Sequence, residues 1–302
     1  MQHETGNHPE SAARVRKIEP RLEQAGLAAK CTRPKWEQVA RRRLTAVHAA
    51  KYADEIWSIA KSGGGDYDSD TVISPCSYDV ALMAAGCTCD AAERIIRGED
   101  KNALCLVRPP GHHALVDRAM GFCIFNNVAI AVKMLTSEFS LDRVMIVDWD
   151  IHHGNGTQEA FWTDPSVGYL SIHRSPFFPG TGLANETGSG AGLGTTVNLP
   201  VEFGITRHDY IKHLTDELDK FAAKIKPQFV LLSAGFDTHR KDPVGSLGLE
   251  TEDYVAITKI VMDVADAYAD GKMLSVLEGG YNPEAVAESV EVHLDTMLKK
   301  AK

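Results

Sequence analysis

Apolar runs that alternate with amphipathic helical patterns are the feature that most constrains the fold of this chain. Segments rich in β-branched and other apolar residues predict strands at residues 103–107, 143–149, 167–173, 195–199, 228–234 and 272–277. Thr206 and Asp209 resemble a capping box at the start of a helix that Pro227 ends, and a second helical pattern begins near Thr251. Strands that alternate with such helices imply right-handed crossovers. The pattern therefore predicts an α/β protein with a mainly parallel sheet covered by helices on both faces.

The course of the chain favours a single domain that spans residues 1–302. No Pro/Ser-rich linker or long repeat divides it, and its length is sufficient for one large α/β core. The first residues are polar, and no apolar run is long enough to span a membrane. We therefore expect a cytoplasmic protein without a membrane anchor.

The net charge of -9 at pH 7 argues against sequence-independent binding to nucleic acid or to an anionic membrane. The same charge suits a cationic substrate. The cysteines have neither the density of a disulfide scaffold nor a Cys-x-x-Cys pair. We therefore expect reduced thiols at Cys31, Cys76, Cys87, Cys89, Cys105 and Cys123.

Reactive side chains follow five of the six predicted strands. They lie in residues 108–113, 148–153, 171–173, 233–237 and 278–281. Because the carboxyl ends of parallel strands meet at one edge of a sheet, we expect these segments to form one site. If the strand before Asp148 stays extended to its end, side chains two apart share a face, so Asp148, Asp150 and His152 should converge. Such a cluster is typical of metal binding.

These segments resemble the zinc-dependent histone deacetylases and their bacterial relatives, the acetylpolyamine amidohydrolases and acetoin-utilisation proteins. The resemblance covers most of the chain and is carried by residues 8–10, 108–113, 121–127, 148–158, 178–182, 233–237 and 277–281. It implies the arginase/deacetylase fold, a three-layer α/β/α sandwich, with one catalytic zinc. Trp149, Asn155 and Glu278 resemble the class II branch and its bacterial homologues.

By position, the resemblance implies that Asp150, His152 and Asp237 hold the catalytic metal. Carboxylates and imidazole suit Zn²⁺ or Fe²⁺, and no thiolate is placed to help, so the metal stays open between these two ions. Such a metal activates water for amide hydrolysis. The resemblance also implies a monovalent cation, K⁺, at Asp148, Asp150, His152, Ser171 and Ile172.

His112 and His113 resemble the proton-transfer pair of the family. Such a pair suits amide hydrolysis, because this reaction requires both deprotonation of water and protonation of the leaving amine. The family pattern pairs His112 with Asp148 and His113 with Asn155. An anionic partner raises the pKa of an imidazole more than a neutral amide does, so the two histidines should titrate apart. Tyr281, which follows two glycines, resembles the donor to the developing oxyanion.

Five further residues resemble the substrate channel of the family. Phe122 and Phe178 correspond to two aromatic walls around a linear acyl-lysine side chain, and Gly121 offers a carbonyl between them. Asp70 resembles the rim carboxylate that holds the backbone of the substrate. Polyamine-selective eukaryotic members have a glutamate at the position of Val244. Val244 therefore favours acetyl-lysine or acyl-lysine in proteins or peptides, with acetylpolyamine hydrolysis as the alternative.

Other functions fit these residues less well. Arginase-type enzymes share the fold but bind two manganese ions, and Gly154 and His239 stand where their additional carboxylates would be. A binding module or a metal-storage protein would not require His112, His113 and Tyr281 together. The sequence therefore predicts an enzyme, a metal-dependent deacetylase.

One departure from the family concerns the start of the chain. An apolar strand usually precedes the segment that begins here at His3. We expect this strand to be absent, which would leave one edge of the sheet open. Homo-oligomerisation could cover that edge.

Overall fold

The computed structural model describes residues 2–300, which form two sheets. A short antiparallel pair consists of β1 (Gly65–Asp66) and β2 (Val72–Ile73). The main sheet is parallel and consists of β3 (Asn102–Cys105), β4 (Val144–Asp148), β5 (Val167–Arg174), β6 (Thr196–Val201), β7 (Phe229–Ala234) and β8 (Met273–Leu277). Its spatial order is β3-β8-β7-β4-β5-β6. The predicted parallel sheet is confirmed, and each predicted strand end differs from the observed one by at most two residues.

Helices fill most of the connections between the strands. They are α1 (Ala13–Gln24), α2 (Arg41–Leu44), α3 (Ala50–Lys61), α4 (Ser77–Ile96), α5 (Asn127–Glu138), α6 (Asn155–Phe161), α7 (Arg207–Ile225), α8 (Asp253–Tyr268) and α9 (Pro283–Lys300). Two short 3₁₀ turns lie at Ala28–Lys30 and Gly190–Gly192.

The helices cover the main sheet on both faces. In β4, Met145 and Val147 point to a core shared with α1, α7, α8 and α9. Val144 and Ile146 point to the opposite core, which contains side chains from α2 to α6. This alternation follows from the two-residue period of a strand. It confirms the expected three-layer α/β/α sandwich.

The start of α7 has the predicted local chemistry. The Thr206 hydroxyl accepts a hydrogen bond from the backbone N–H of Asp209 at 3.1 Å and donates to its carboxylate at 2.6 Å. Lys226 then adopts a left-handed conformation with a φ of 52° and ends the helix before Pro227. The predicted helix is therefore confirmed, and the second predicted helix, α8, begins at Asp253, two residues after Thr251.

One edge of the main sheet is formed by β3. Among residues 2–300, no strand pairs with its outer side. A groove of about 510 Å³ lies beside this edge, and its apolar lining includes Leu22, Leu104, Leu106 and Met297. Whether a second copy of the chain covers this edge stays a prediction. Within the described residues, no helix is both long enough and apolar enough to cross a bilayer.

Candidate metal centre and active site

The cluster after β4 forms at the carboxyl end of the sheet, but not by strand geometry alone. The strand ends at Asp148, so the alternation that we expect beyond it does not apply. Instead, the Asp148 carboxylate accepts a hydrogen bond from the N–H of Asp150 at 3.1 Å. The Asp150 carboxylate in turn accepts one from the N–H of His152 at 2.9 Å. These local bonds fold the segment into a turn that brings the three side chains together.

Three possible metal ligands meet at this turn. Asp150, His152 and Asp237 are all buried, and their ligand atoms lie within 4.8 Å of one another. The Nδ1 atom of His152 is 3.0 Å from Oδ1 of Asp150 and 3.1 Å from Oδ2 of Asp237. Oδ2 of Asp237 is buried and has no hydrogen bond of acceptable geometry, although His152 lies close to it. A buried carboxylate oxygen without a donor is costly, and a divalent cation would satisfy it.

The electrostatics of the three residues also favour a cation. Burial and the neighbouring charge of Asp150 raise the pKa of Asp237 to about 7. Burial alone would raise the pKa of Asp150, but His112 and His152 outweigh it and hold that pKa far below its usual range. Burial opposes protonation of His152, yet the two carboxylates raise its pKa to about 9. Metal binding would release the proton that the three groups share, and their donor set fits Zn²⁺.

The adjacent histidines lie next to the metal ligands and have different partners. Nδ1 of His112 is 3.1 Å from Oδ2 of Asp148, and Nδ1 of His113 is 2.7 Å from Oδ1 of Asn155. Burial opposes a charge on His112, but Asp150 and Asp148 raise its pKa to about 10. Burial and the positive charges of neighbouring histidines hold the pKa of His113 well below its ordinary value. The structure thus places each histidine against the partner that the resemblance implies.

Two further buried side chains hold Asp148 and the backbone of the histidine pair in place, and sequence reasoning did not link them to these partners. The hydroxyl of Tyr169 donates to Oδ2 of Asp148 at 3.2 Å and lies 3.1 Å from the carbonyl of Gly154. Glu278 accepts hydrogen bonds from the N–H groups of Gly111 at 2.7 Å and His112 at 3.2 Å. The position of Glu278 at the end of a strand was a signal that it belongs to the site, but nothing in the sequence indicates its partners.

A second group of possible ligands lies beside the histidine pair. It consists of His112, Cys123 and Glu278, whose ligand atoms also lie within 4.8 Å of one another. Burial raises the pKa of the Cys123 thiol well above its usual value, so the thiolate that a metal needs is not favoured. The Glu278 carboxylate is already occupied by backbone donors. We therefore assign no metal to this group.

Tyr281 is buried beside the metal ligands at the end of the loop after β8. The N–H of Gly279 donates to Oδ2 of Asp150 at 2.7 Å, and the Arg14 guanidinium donates to the Gly280 carbonyl at 2.5 Å. The same guanidinium lies 5.0 Å from the centre of the Tyr281 ring. Burial holds the pKa of Tyr281 well above its usual value, so its hydroxyl stays protonated. It can therefore act as a hydrogen-bond donor.

Two phenylalanine rings lie against residues of this centre. The ring centre of Phe178 lies 5.2 Å from that of His113, and the ring centre of Phe122 lies 5.5 Å from that of Tyr281. Gly121 has a φ of 55°, and a Cβ there would lie 2.5 Å from Cδ2 of His113 and 3.0 Å from Cε1 of Phe178. Only a glycine therefore allows this close packing. Aromatic rings thus lie next to His113 and Tyr281, and their role as the walls of a narrow apolar channel stays a prediction.

The two predicted rim residues both lie in loops. The Thr71 hydroxyl donates to the Asp70 carboxylate at 2.9 Å and accepts from the N–H of Phe122 at 3.2 Å. Asp70 is thus tied to the loop of an aromatic wall. Val244 is half-buried in the loop after β7, the loop that also carries Asp237. The roles of both residues toward a substrate stay predictions.

The predicted K⁺ ligands lie on adjacent strands and in the following turn. Asp148 of β4 and Ser171 of β5 are register partners, and Ile172 follows in β5. The Ser171 hydroxyl lies 2.9 Å from Nδ1 of His173. The residues expected to hold K⁺ are therefore close together along the chain and across the sheet, and the ion stays a prediction.

The positions that carry extra carboxylates in arginase-type enzymes do not form a second metal site here. A Cβ at Gly154 would collide with the Asp148 carboxylate and would lie 2.6 Å from the Tyr169 hydroxyl. His239 lies 3.3 Å from the hydroxyl of Thr251 through Nε2 and stacks on Tyr254. The local packing therefore leaves no room for a carboxylate at position 154.

Comparison with known proteins agrees with this site. The family model described as "Histone deacetylase domain" matches residues 8–297. The chain is 38% identical to "Histone deacetylase 15" of Arabidopsis thaliana, over 96% of this chain and 53% of that protein. It is 40% identical to a "Probable deacetylase" of Archaeoglobus fulgidus, over 79% of this chain and 66% of that protein. The chain thus spans about half to two thirds of the length of these relatives.

A solved structure extends the comparison to the backbone. The chain matches the crystal structure of the HDA15 HD domain with a TM-score of 0.92 and 37% identity. The match covers 99% of this chain and 86% of that chain. It confirms the arginase/deacetylase fold that the resemblance implies.

Proposed function

Because the chain belongs to the histone deacetylase family, we propose that it is a metal-dependent deacetylase that removes acetyl groups from lysine side chains in proteins or peptides. One observation carries this proposal. The unsatisfied, buried Oδ2 of Asp237 lies beside Asp150 and His152, within a site that also contains the two histidines and Tyr281. This combination supports metal-assisted hydrolysis over simple metal storage.

The ligand set supports zinc, with Fe²⁺ as the other ion that suits it. When bound at Asp150, His152 and Asp237, such an ion would polarise the amide carbonyl and activate water. We further propose K⁺ as a structural ion at the set that includes Asp148 and Ser171. The Ser171 hydroxyl and the backbone carbonyls near Asp148, Asp150 and His152 would supply its oxygen ligands.

The protein side chains divide the remaining work. His113 is held neutral by burial and by nearby positive charge, so its imidazole can accept a proton from water and pass it to the leaving amine. His112 is held protonated by Asp150 and Asp148 and supplies positive charge to the site. The protonated hydroxyl of Tyr281 would donate to the carbonyl oxygen as negative charge develops there.

The predicted channel and rim residues support the proposed substrate class. Phe122 and Phe178 form apolar walls that suit an extended methylene chain. Val244 offers no negative charge at the rim for a second ammonium group of a polyamine. The net charge of -9 suits an approaching lysine-rich peptide. Acetyl-lysine in a protein or peptide is therefore our first choice, and an acetylpolyamine is the second.

The substrate choice can be tested with a rim variant. We would compare kcat/KM for an acetyl-lysine peptide and for acetylputrescine in the zinc-loaded protein and in Val244→Glu. We expect the unmodified protein to prefer the peptide, and the variant to shift toward acetylputrescine about tenfold, because a carboxylate attracts its second ammonium. Val255→Glu on α8, where Val255 is exposed, is the matched control, and its preference between the two substrates should not shift.

Two outcomes would count against the proposal. A higher kcat/KM for acetylputrescine than for the peptide would replace the lysine assignment with the polyamine one. If the zinc-loaded protein hydrolyses neither substrate, deacetylation itself is wrong for this chain.

A further inference from the structure

A buried carboxylate outside the metal site connects two loops of the active centre. Asp242 is only 8% exposed and lies in the loop after β7. Its Oδ1 accepts hydrogen bonds from the N–H groups of Val244 and Gly245, both at 2.9 Å. Its Oδ2 accepts one from the N–H of Tyr281 at 2.6 Å. One carboxylate thus joins the rim residue Val244 to the backbone of the oxyanion donor.

The loop of Tyr281 needs such a connection. Gly279 and Gly280 precede Tyr281, and Gly280 has a φ of 114°, which a residue with a Cβ rarely adopts. The N–H of Gly279 is held by Asp150, and the carbonyl of Gly280 is held by Arg14. Beyond these points the backbone turns toward α9, and Asp242 holds the N–H of Tyr281 itself.

We propose that Asp242 is a positioning residue for the deacetylation reaction. It holds the backbone of Tyr281 so that the phenol stays directed at the reacting carbonyl. The inference rests on the proposed function. It assigns Asp242 no contact with the substrate or the metal.

A simpler role for Asp242 is to stabilise its own turn, and the two oxygens separate these roles. Oδ1 serves the turn through Val244 and Gly245, whereas Oδ2 serves the other loop through Tyr281. Asparagine can keep the acceptor at Oδ1 but presents an NH₂ donor toward the N–H of Tyr281. Asp242→Asn should therefore keep the turn and break the connection, while Asp242→Ala removes both.

Kinetics of the zinc-loaded protein test this separation. For Asp242→Asn we expect kcat to fall about 10- to 100-fold, with KM changed less than about threefold, since a small misplacement of a catalytic group has such effects. Bound zinc should stay at the level of the unmodified protein. Asp242→Ala should also raise KM. Asp253→Asn is the matched control: Asp253 is 7% exposed, accepts the N–H of Glu250 at 2.8 Å, and lies on α8.

A double-mutant cycle shows whether Asp242 acts through Tyr281. In the Tyr281→Phe background we expect Asp242→Asn to change kcat by less than about threefold, because the donor that it positions is already gone. An equal loss of kcat in both backgrounds, or a loss of zinc in Asp242→Asn, would overturn the proposal. No loss in Asp242→Asn would overturn it as well.

A spectroscopic measurement keeps the test independent of turnover. With 3-fluorotyrosine incorporated at position 281, the unmodified protein should give one narrow ¹⁹F resonance, and Asp242→Asn should give a broadened or divided one. An unchanged resonance would contradict the positioning role even if no acetylated substrate were hydrolysed. A protein that is inactive but shows the expected spectral change would instead mean that only the proposed function is wrong.

Discussion

Two adjacent histidines in this site differ because their neighbours differ in charge. Asp148 and Asp150 lie near His112, whereas the neutral amide of Asn155 orients His113. The first imidazole is therefore held as a cation, and the second is held neutral. A pair in which one member stores charge and the other exchanges protons suits a reaction that must both deprotonate water and protonate an amine.

At the residue scale, the sharpest kinetic prediction concerns Tyr281. Tyr281→Phe removes the hydroxyl and keeps the ring that packs on Phe122. We expect kcat to fall by about 10²- to 10³-fold, as for the loss of one oxyanion donor, with zinc content and thermal stability unchanged. Tyr268→Phe on α8, where Tyr268 is 40% exposed, is the control and should keep full kcat. A Tyr281→Phe variant with normal kcat would show that this hydroxyl does not serve the reaction.

The clustering of single residues was predictable where a motif carries them. His112, His113, Asp150, His152 and Asp237 all lie in recognisable segments at strand ends. The partners of Glu278, Tyr169 and Asp242 were not predictable, because their hydrogen bonds join elements that are far apart in sequence. Such contacts depend on how the loops pack, and no local periodicity indicates them.

At the scale of elements, the loop after β8 approaches the candidate metal ligands closely because of its glycines. A Cβ at Gly279 would lie 2.5 Å from Oδ2 of Asp150 and even closer to Oδ2 of Asp237. Gly279→Ala should therefore displace the metal ligands and weaken zinc binding by at least about tenfold, measured as zinc retained against a chelator. Gly65→Ala in β1 is the control, because no atom lies within 4 Å of a Cβ there. Equal zinc retention in both variants would contradict this view of the loop.

A second element-scale prediction concerns His48, which ties the start of α3 to α5. Its Nδ1 lies 2.8 Å from the Leu115 carbonyl, and its Nε2 accepts the N–H of Asn126 at 2.9 Å. Asn126 in turn caps α5. Burial lowers the pKa of His48 to about 4, because the neutral ring fits these partners and a charged ring does not.

The consequence for stability follows from proton linkage. Between pH 6.5 and about 4 the unfolded His48 binds a proton that the folded one does not, so stability falls as the pH falls through this window. From pH 7 to pH 5 the loss from this residue should be about 2 kcal/mol. The glutamine of His48→Gln cannot titrate. We therefore expect this variant to lose about 2 kcal/mol less unfolding free energy than the unmodified protein between pH 7 and pH 5, measured by urea unfolding of both proteins at both pH values. An equal pH dependence of the two proteins would contradict the prediction.

The elements themselves show what sequence patterns can and cannot predict. The strands β4, β7 and β8 were predicted because each is a mostly apolar run that is buried on both faces. The pair β1 and β2 was not predicted, since strands of two residues have no detectable period. The predicted extension of β4 to Trp149 was wrong by one residue, because hydrogen bonds to the carboxylates of Asp148 and Asp150 turn the backbone there.

At the scale of the whole molecule, one sheet separates two large hydrophobic cores and collects every reactive segment at one end. The central strands β7 and β4 carry Asp237, Asp150 and His152 in the loops after them. Burial on both faces makes these strand ends rigid and dry, which strengthens electrostatic interactions in the site. The fold therefore accounts for both the close approach of two carboxylates and their need for a cation.

We propose that a single divalent ion, held by two carboxylates and one imidazole, makes this protein a deacetylase. The most direct measurement is a zinc titration of the metal-free protein with hydrolysis of an acetyl-lysine peptide as the readout. We predict no activity without metal, and a linear rise in activity that ends at one zinc per chain. Full activity in metal-free protein, or a rise that ends only at two ions per chain, would contradict the account.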